Sequence, residues 1–299
     1  MTQKGKMRLK KSAVRLVLSV LRLLFIGGIC FVILYPLITE LSTSVMAVQD
    51  VYDGTVKYVP KHFTLSHYTE AMRLLKYGSA MLNTIPMAIV ISAVQMLSST
   101  FVAYGFARFN FKGNNILFLA AILAMMIPPD VLLVPYYLQF RSLSLLNTWW
   151  PMIILGLTCT GLKNGLYIFI MRQYFKGVPR ALEEAAYIDG AGVFRTLLSI
   201  ILPDARSMMV TVFLFSFVWT WLDGMYIPVF CSNLDVLPTT IGALENPFAN
   251  LANAGNTQIL AGGLIQNAGI VLVIAPLLVL YVIAQKSFVE SVSRSGLVG

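Results

Sequence analysis

The sequence predicts an all-α membrane protein of six transmembrane helices with both termini in the cytoplasm. Three observations lead there. Hydrophobic residues make up 58% of the 299-residue chain and charged residues only 12%, against about a quarter charged in an ordinary soluble domain. Mean hydropathy is +0.77, and the apolar residues gather in six runs of roughly the length that crosses a bilayer. The basic residues crowd the ends and loops on one side of those runs, the mark of the cytoplasmic side.

Taken in order, residues 1–20 form a basic segment, with six Lys and Arg from Lys4 to Arg15. A basic head before an apolar run also opens a secretory signal peptide. Here the run passes Pro36 and reaches about Val45 without a small-residue cleavage pattern, so an uncleaved first span at 21–45 is expected. The remaining spans are expected at 80–106, 116–136, 149–171, 208–230 and 262–284. Together, residues 21–299 make one membrane domain, with no room for a large soluble one. Of the 22 Lys and Arg, 15 fall on the amino-terminal side and five on the other, at Lys57, Lys61, Arg73, Lys76 and Arg141. Arg22 and Lys163 lie at or within spans. The net charge of +9 therefore marks topology, and nucleic-acid binding is disfavoured.

Between the fourth and fifth spans lies EEAAYIDGAGVFRTLLSIILP, residues 183–203. Pro179 suits a helix start, and Leu182, Ala185 and Ala186 share one face, with Glu183, Glu184 and Tyr187 around the rest. Asp189-Gly190-Ala191-Gly192 supplies a stop, and Val193 to Leu202 form a second helix before Pro203. By local pattern alone this equally suits an ordinary surface helix pair. Its small alanines let a partner approach closely, and Glu184 offers a carboxylate across an interface.

The spacing from Glu184-Ala185-Ala186 through Gly190 to Pro203 resembles the cytoplasmic EAA loop of ABC importer permeases. The likeness to the maltose-type carbohydrate permeases runs from about Tyr35 to the carboxyl end. LNTIP (82–86) and AYGFARFNFKG (103–113) resemble the second span and its inner turn, and MIPPDVLLVPYYLQFRSLSLLNTWWPMIIL (126–155) the third span, outer loop and start of the fourth. IFIMRQYFKGVPRALEEAAYIDGAG then leads through Arg172 into the loop. Three departures are Leu222 for Asn in a Trp-Asn-Asp element, Ser207 for a frequent Pro, and Ser291 for a Gly. The resemblance implies a type I ABC importer permease fold in the bacterial cytoplasmic membrane. It implies a second similar permease subunit, two cytoplasmic ATPase subunits and an extracytoplasmic substrate-binding protein as partners, besides membrane lipid. The loop at 172–207 would couple to the ATPases through Glu184, Ala185, Ala186, Asp189, Gly190, Ala191 and Pro203, and the cargo would be a sugar or oligosaccharide.

No phosphate loop is present. The nearest candidate, from Gly161 through Lys163 to Gly165, has the wrong spacing, so ATP and Mg would sit on a partner and no cofactor is expected on this chain. Nor is a catalytic constellation evident, which argues against a membrane enzyme. Asp50, Asp53, His62 and His67 match no metal-ligand spacing. Cys30, Cys159 and Cys231 offer neither a disulfide framework nor a metal site.

Ionisable residues inside spans are pathway candidates by default. Lys163 and Asn164 interrupt the fourth span after Thr158, Cys159 and Thr160; equally, Lys163 suits a carboxylate of a partner or an interface. Asp223, Trp221 and Tyr226, with Trp219 and Asp130, are further candidates, though anchoring at the membrane interface suits the aromatic cluster as well. The turn-rich stretch 232–261, with Asn233, Pro238, Asn246, Pro247 and Asn250, suits docking of a binding protein. A permease for another small polar solute and a secondary transporter using Asp130, Lys163 and Asp223 remain alternatives.

Overall fold

A computed structural model describes the backbone of residues 3–244 and 256–296 and the side chains of 15–244 and 262–285. Asn246, Pro247 and Asn250 lie outside the described residues, as does the side chain of Ser291. In chain order the helices are α1 (Gln3–Ser44), α2 (Val48–Tyr52), α3 (Ser66–Leu74), α4 (Tyr77–Arg108), α5 (Asn114–Ala124), α6 (Pro129–Ser142), α7 (Trp150–Leu157) and α8 (Asn164–Gly177). They continue with α9 (Ala181–Ile188), α10 (Val193–Thr196), a π-helical turn (Leu197–Ile201), α11 (Leu202–Asp204) and α12 (Arg206–Trp221). Last come α13 (Tyr226–Phe230), α14 (Leu237–Thr240), a 3₁₀ turn (Ile241–Leu244) and α15 (Asn256–Gly296).

Three described helices are long and apolar enough to cross a membrane: Arg15–Ser44, Tyr77–Arg108 and Gly262–Gln285. They answer to the first, second and sixth expected spans, and each continues unbroken through a proline, at Pro36, Pro86 and Pro276. The third, fourth and fifth expected spans are broken. Asn114–Ala124 and Pro129–Ser142 meet at 94°, because Pro128 and Pro129 remove two donors and bar the residue ahead of them from helical backbone. The fourth divides into α7 and α8, separated by a stretch in which Cys159 (φ 56°) and Lys163 (φ 65°) adopt left-handed backbone. Val193–Asp204 and Arg206–Trp221 meet at 75°, and the fifth expected span stops at Trp221 before resuming as α13. Counting each bent pair as one span gives five.

The chain divides into two compact units, Met1–Ala71 with Asn246–Leu272, and Met72–Glu245 with Val273–Gly299. In the first, α1 is exposed along its apolar length, as at Phe25 and Val32, a surface that suits lipid rather than water. Beyond α1 the chain folds back. Ala47 N–H donates to His62 O (3.0 Å) and Thr64 N–H to Val45 O (2.9 Å). Asp50 accepts from the His62 backbone (2.7 Å) and bonds its ring Nδ1 (2.6 Å), while His67 Nε2 meets Met46 O at 3.1 Å. Burial pushes the Asp50 carboxyl up, but the bonds from His62 outweigh it and hold the group below its ordinary range. Asp53 pairs with Lys61 at 2.5 Å. Oriented to satisfy both ends of its amide, Asn267 donates to Glu40 Oε2 and accepts from Thr43 Oγ1.

In the second unit α4 is the central post. One half packs Met87 and Ile91 against Phe140, Met152, Leu155, Tyr226 and Phe230. The other packs Ala103 and Tyr104 against Tyr167, Met171, Phe175, Leu197, Ile201 and Met208. Small residues let α7 approach it: a Cβ on Gly156 would stand 3.1 Å from Gln95 Cγ and 3.2 Å from Val94 Cγ1. Ser98 Oγ donates to the Gly156 carbonyl (2.7 Å) and Asn164 Nδ2 to Ser99 Oγ (3.0 Å). A polar seam thus binds both halves of the broken span to α4.

Candidate functional site

The loop between α8 and α12 is a helix, turn, helix, as the glycine spacing implies. Its turn is a complete Schellman motif: Gly190 N–H donates to Tyr187 O (3.1 Å) and Ala191 N–H to Ala186 O (2.9 Å), satisfying the last carbonyls of α9. Gly190 has φ +81°, the left-handed conformation that glycine adopts without a side-chain penalty. Asp189 is the C-cap of α9 and Gly192 the extended N-cap of α10.

The second helix differs from expectation in being helical past Pro203, to Asp204. Pro203 has no N–H and its ring would crowd the carbonyl four residues back. The preceding backbone widens into the π turn, where Leu202 N–H donates to Leu197 O, and the sharp bend follows at Ala205. Tyr174 of α8 clasps this end, its hydroxyl 2.8 Å from Asp204 O and 2.9 Å from Asp204 Oδ2.

The face shared by Leu182, Ala185 and Ala186 is not buried as a unit. Glu183 and Ala186 are buried, while Leu182 and Ala185 are exposed. The cause lies in α4: Tyr104 OH donates to Glu183 Oε1 (3.0 Å), and Arg108 Nε stands 3.2 Å from the same oxygen. Arg108 Nη2 also donates to the Val178 carbonyl at the end of α8 (2.8 Å). A buried guanidinium is costly without a counter-charge, so Glu183 turns in and Glu184 turns out. The outer surface around the Gly190 turn then presents Glu184, Ala185 and Tyr187 together with Ile188 (86% exposed) and Phe194 (79% exposed). Ile188 and Phe194 escaped the sequence reading; the signal was a large apolar residue on each side of a glycine stop.

The pathway candidates fall in separate surroundings. Lys163, at the break in the fourth span, sets its ammonium 4.6 Å from the centroid of the half-exposed Trp219 ring, a cation–π contact. Asn164 is fully buried, its Nδ2 on Ser99 and its Oδ1 unpaired. Trp221 is buried, stacked on Phe217 with centroids 5.6 Å apart and donating Nε1–H to Val273 O (3.1 Å). Tyr226 is buried edge-on to Tyr136 (6.2 Å). Asp223 receives the N–H groups of Met225, Tyr226 and Ile227 at 2.9, 3.0 and 3.3 Å, capping α13. The expected aromatic cluster is thus divided among three environments, and Asp130 is exposed in the first turn of α6.

Residues 95–294 match the family described as the binding-protein-dependent transport system inner membrane component. A probable ABC transporter permease of Pyrococcus horikoshii is 31% identical over 89% of this chain and 91% of its own length. The galactooligosaccharides transport system permease protein of Bacillus subtilis is 28% identical over 96% of each chain. Among solved structures, a bacterial ABC transporter involved in the import of the acidic polysaccharide alginate superposes with a TM-score of 0.71 over 90% of this chain and 96% of that one, at 22% identity. The helix, turn, helix loop packed on α4 and α8 is therefore part of a shared fold, and the chain belongs to the binding-protein-dependent transport system inner membrane components, the permease subunits of ABC transporters, which transport rather than catalyse.

Proposed function

We propose that this chain is a six-span permease subunit, with both termini in the cytoplasm, that imports a sugar or oligosaccharide by alternating access. It works with a second permease subunit, two ATPase subunits that hold ATP and Mg, and a binding protein that delivers cargo. The galactooligosaccharide relative supports the cargo class, and the basic-residue excess supports the orientation. One observation carries the coupling role: the outward face of α9, with Glu184, Ala185 and the flanking Ile188 and Phe194, is left exposed by the described residues.

An ATPase that changes shape on binding ATP can bias the spans only if its two states contact this face differently. Ala186, Asp189, Gly190 and Ala191 form the turn that sets the face, and Pro203 sits in the last turn of the second helix, ahead of the bend into α12. Lys163 and Asn164 are the pathway residues on this reading, with Trp221, Asp223 and Tyr226 as further candidates. Glu184→Lys or Gly190→Pro in the assembled transporter should leave insertion intact and uncouple ATP hydrolysis from uptake. Wild-type uptake in both variants would overturn the coupling role. The ligand of the partner binding protein tests the cargo: an amino acid or peptide there would replace the carbohydrate assignment with another polar solute.

A further inference from the structure

A cavity of 580 Å³ opens where the end of α4, the turn before α5 and the end of α8 meet. Its size lies within the roughly 300–1,000 Å³ of small-molecule sites. Arg172, Lys176 and Arg180 line it, and no carboxylate does. Arg172 is 6% exposed. Its guanidinium carbon lies over Phe118, 3.7 Å from the ring centroid, and its Nε reaches the Phe106 carbonyl at 3.4 Å. None of the three cations has an ion-pair partner among the described residues.

A buried guanidinium without a counter-charge is costly, and Arg108 nearby shows the alternative, a carboxylate brought in from α9. At Arg172 the described residues supply none. A planar fork held by ring stacking, with two flexible cations beside it, matches the geometry of a phosphate. The rim settles the kind of phosphate. Ile116 lines the cavity, and the apolar face of α5 continues from it through Leu117 and Leu119, all more than half exposed. That strip can take acyl chains while the headgroup sits among the cations.

We propose that this cavity binds the phosphate of an anionic phospholipid of the inner leaflet, placed between the α4–α5 turn and the base of the coupling loop. The leaflet rests on the orientation argued under the proposed function. The test is native mass spectrometry of the delipidated transporter, complete with its partner subunits, titrated with phosphatidylglycerol or phosphatidylcholine. Wild type should prefer phosphatidylglycerol. The double variant Lys176→Gln/Arg180→Gln, which leaves the Arg172–Phe118 stack in place, should lose about 30-fold of that preference, at one surface cation's typical contribution for each. Arg172→Gln should abolish it, and should it fail to assemble the double variant still decides. Equal binding of the two lipids by wild type, or an unchanged preference in the double variant, overturns the proposal. Displacement of phosphatidylglycerol by equimolar inorganic phosphate reassigns the cavity to a soluble anion and overturns it too. Lipid binding is read without ATP, so its loss is distinguishable from a failure of coupling.

Discussion

Arg108 and Glu183 show how one pair can decide the face of a helix. Hydrophobicity favours Leu182 for the buried face of α9, yet the ion pair with Arg108 and the hydrogen bond from Tyr104 outweigh a leucine's preference. We expect Glu183→Ala to destabilise the chain by about 3 kcal/mol or more, because it leaves a buried guanidinium uncompensated. Glu183→Leu with Arg108→Met should cost far less. Thermal unfolding in detergent separates the two, and equal losses would refute the pair. A second residue-scale outcome concerns Asp50. Its carboxyl is depressed in the folded chain by the bonds from His62, so their contribution is full above the ordinary carboxylate value near pH ~4 and is lost as pH falls through the lower folded value. Protection of residues 46–66 against hydrogen exchange, taken relative to the intrinsic rate at each pH, should therefore fall as pH drops through that range, and Asp50→Asn should make it independent of pH there.

At the scale of elements, the spans that the sequence renders as continuous hydrophobic runs are of two kinds. Those that stay unbroken carry one isolated proline each; the third breaks at the Pro-Pro pair 128–129, the fourth across the polar and small run 158–165, and the fifth after Trp221, at Leu222-Asp223-Gly224. The runs were legible and the breaks only partly so. Lys163 and Asn164 marked one in the sequence, whereas the left-handed backbone at Cys159 and Lys163 follows from how α7 and α8 must both reach α4. The close approach at Gly156 makes this testable. Gly156→Val forces a Cβ against Gln95 and Val94 at 3.1–3.2 Å and should cost about 1–3 kcal/mol by overpacking. Gly263→Ala, with nothing within 4 Å of its added Cβ, should be nearly neutral by the same melt.

At the scale of the whole molecule, the proposed function places the exposed ends of the loop at 183–203 against an ATPase partner. Ile188 and Phe194 are large, apolar and uncovered, which suits the centre of a contact rather than its rim. Ile188→Asp with Phe194→Asp should weaken ATPase association by about 2 kcal/mol or more, read as loss of ATPase co-purification with the permease still in the membrane. Undiminished co-purification would exclude them from the interface.

By itself the sequence determined the helical membrane class, the family and the helix, glycine turn, helix at 179–203, because composition, hydrophobic run length and glycine backbone freedom are local properties. Only the tertiary structure decided which carboxylate of Glu183 and Glu184 faces inward, where the third, fourth and fifth spans break, and that Arg172 stands buried without a counter-charge. Those outcomes depend on which residues of α4, α5 and α8 meet in space. Periodicity ranks a side chain by its own hydrophobicity, while a buried charge is placed by the partner it finds.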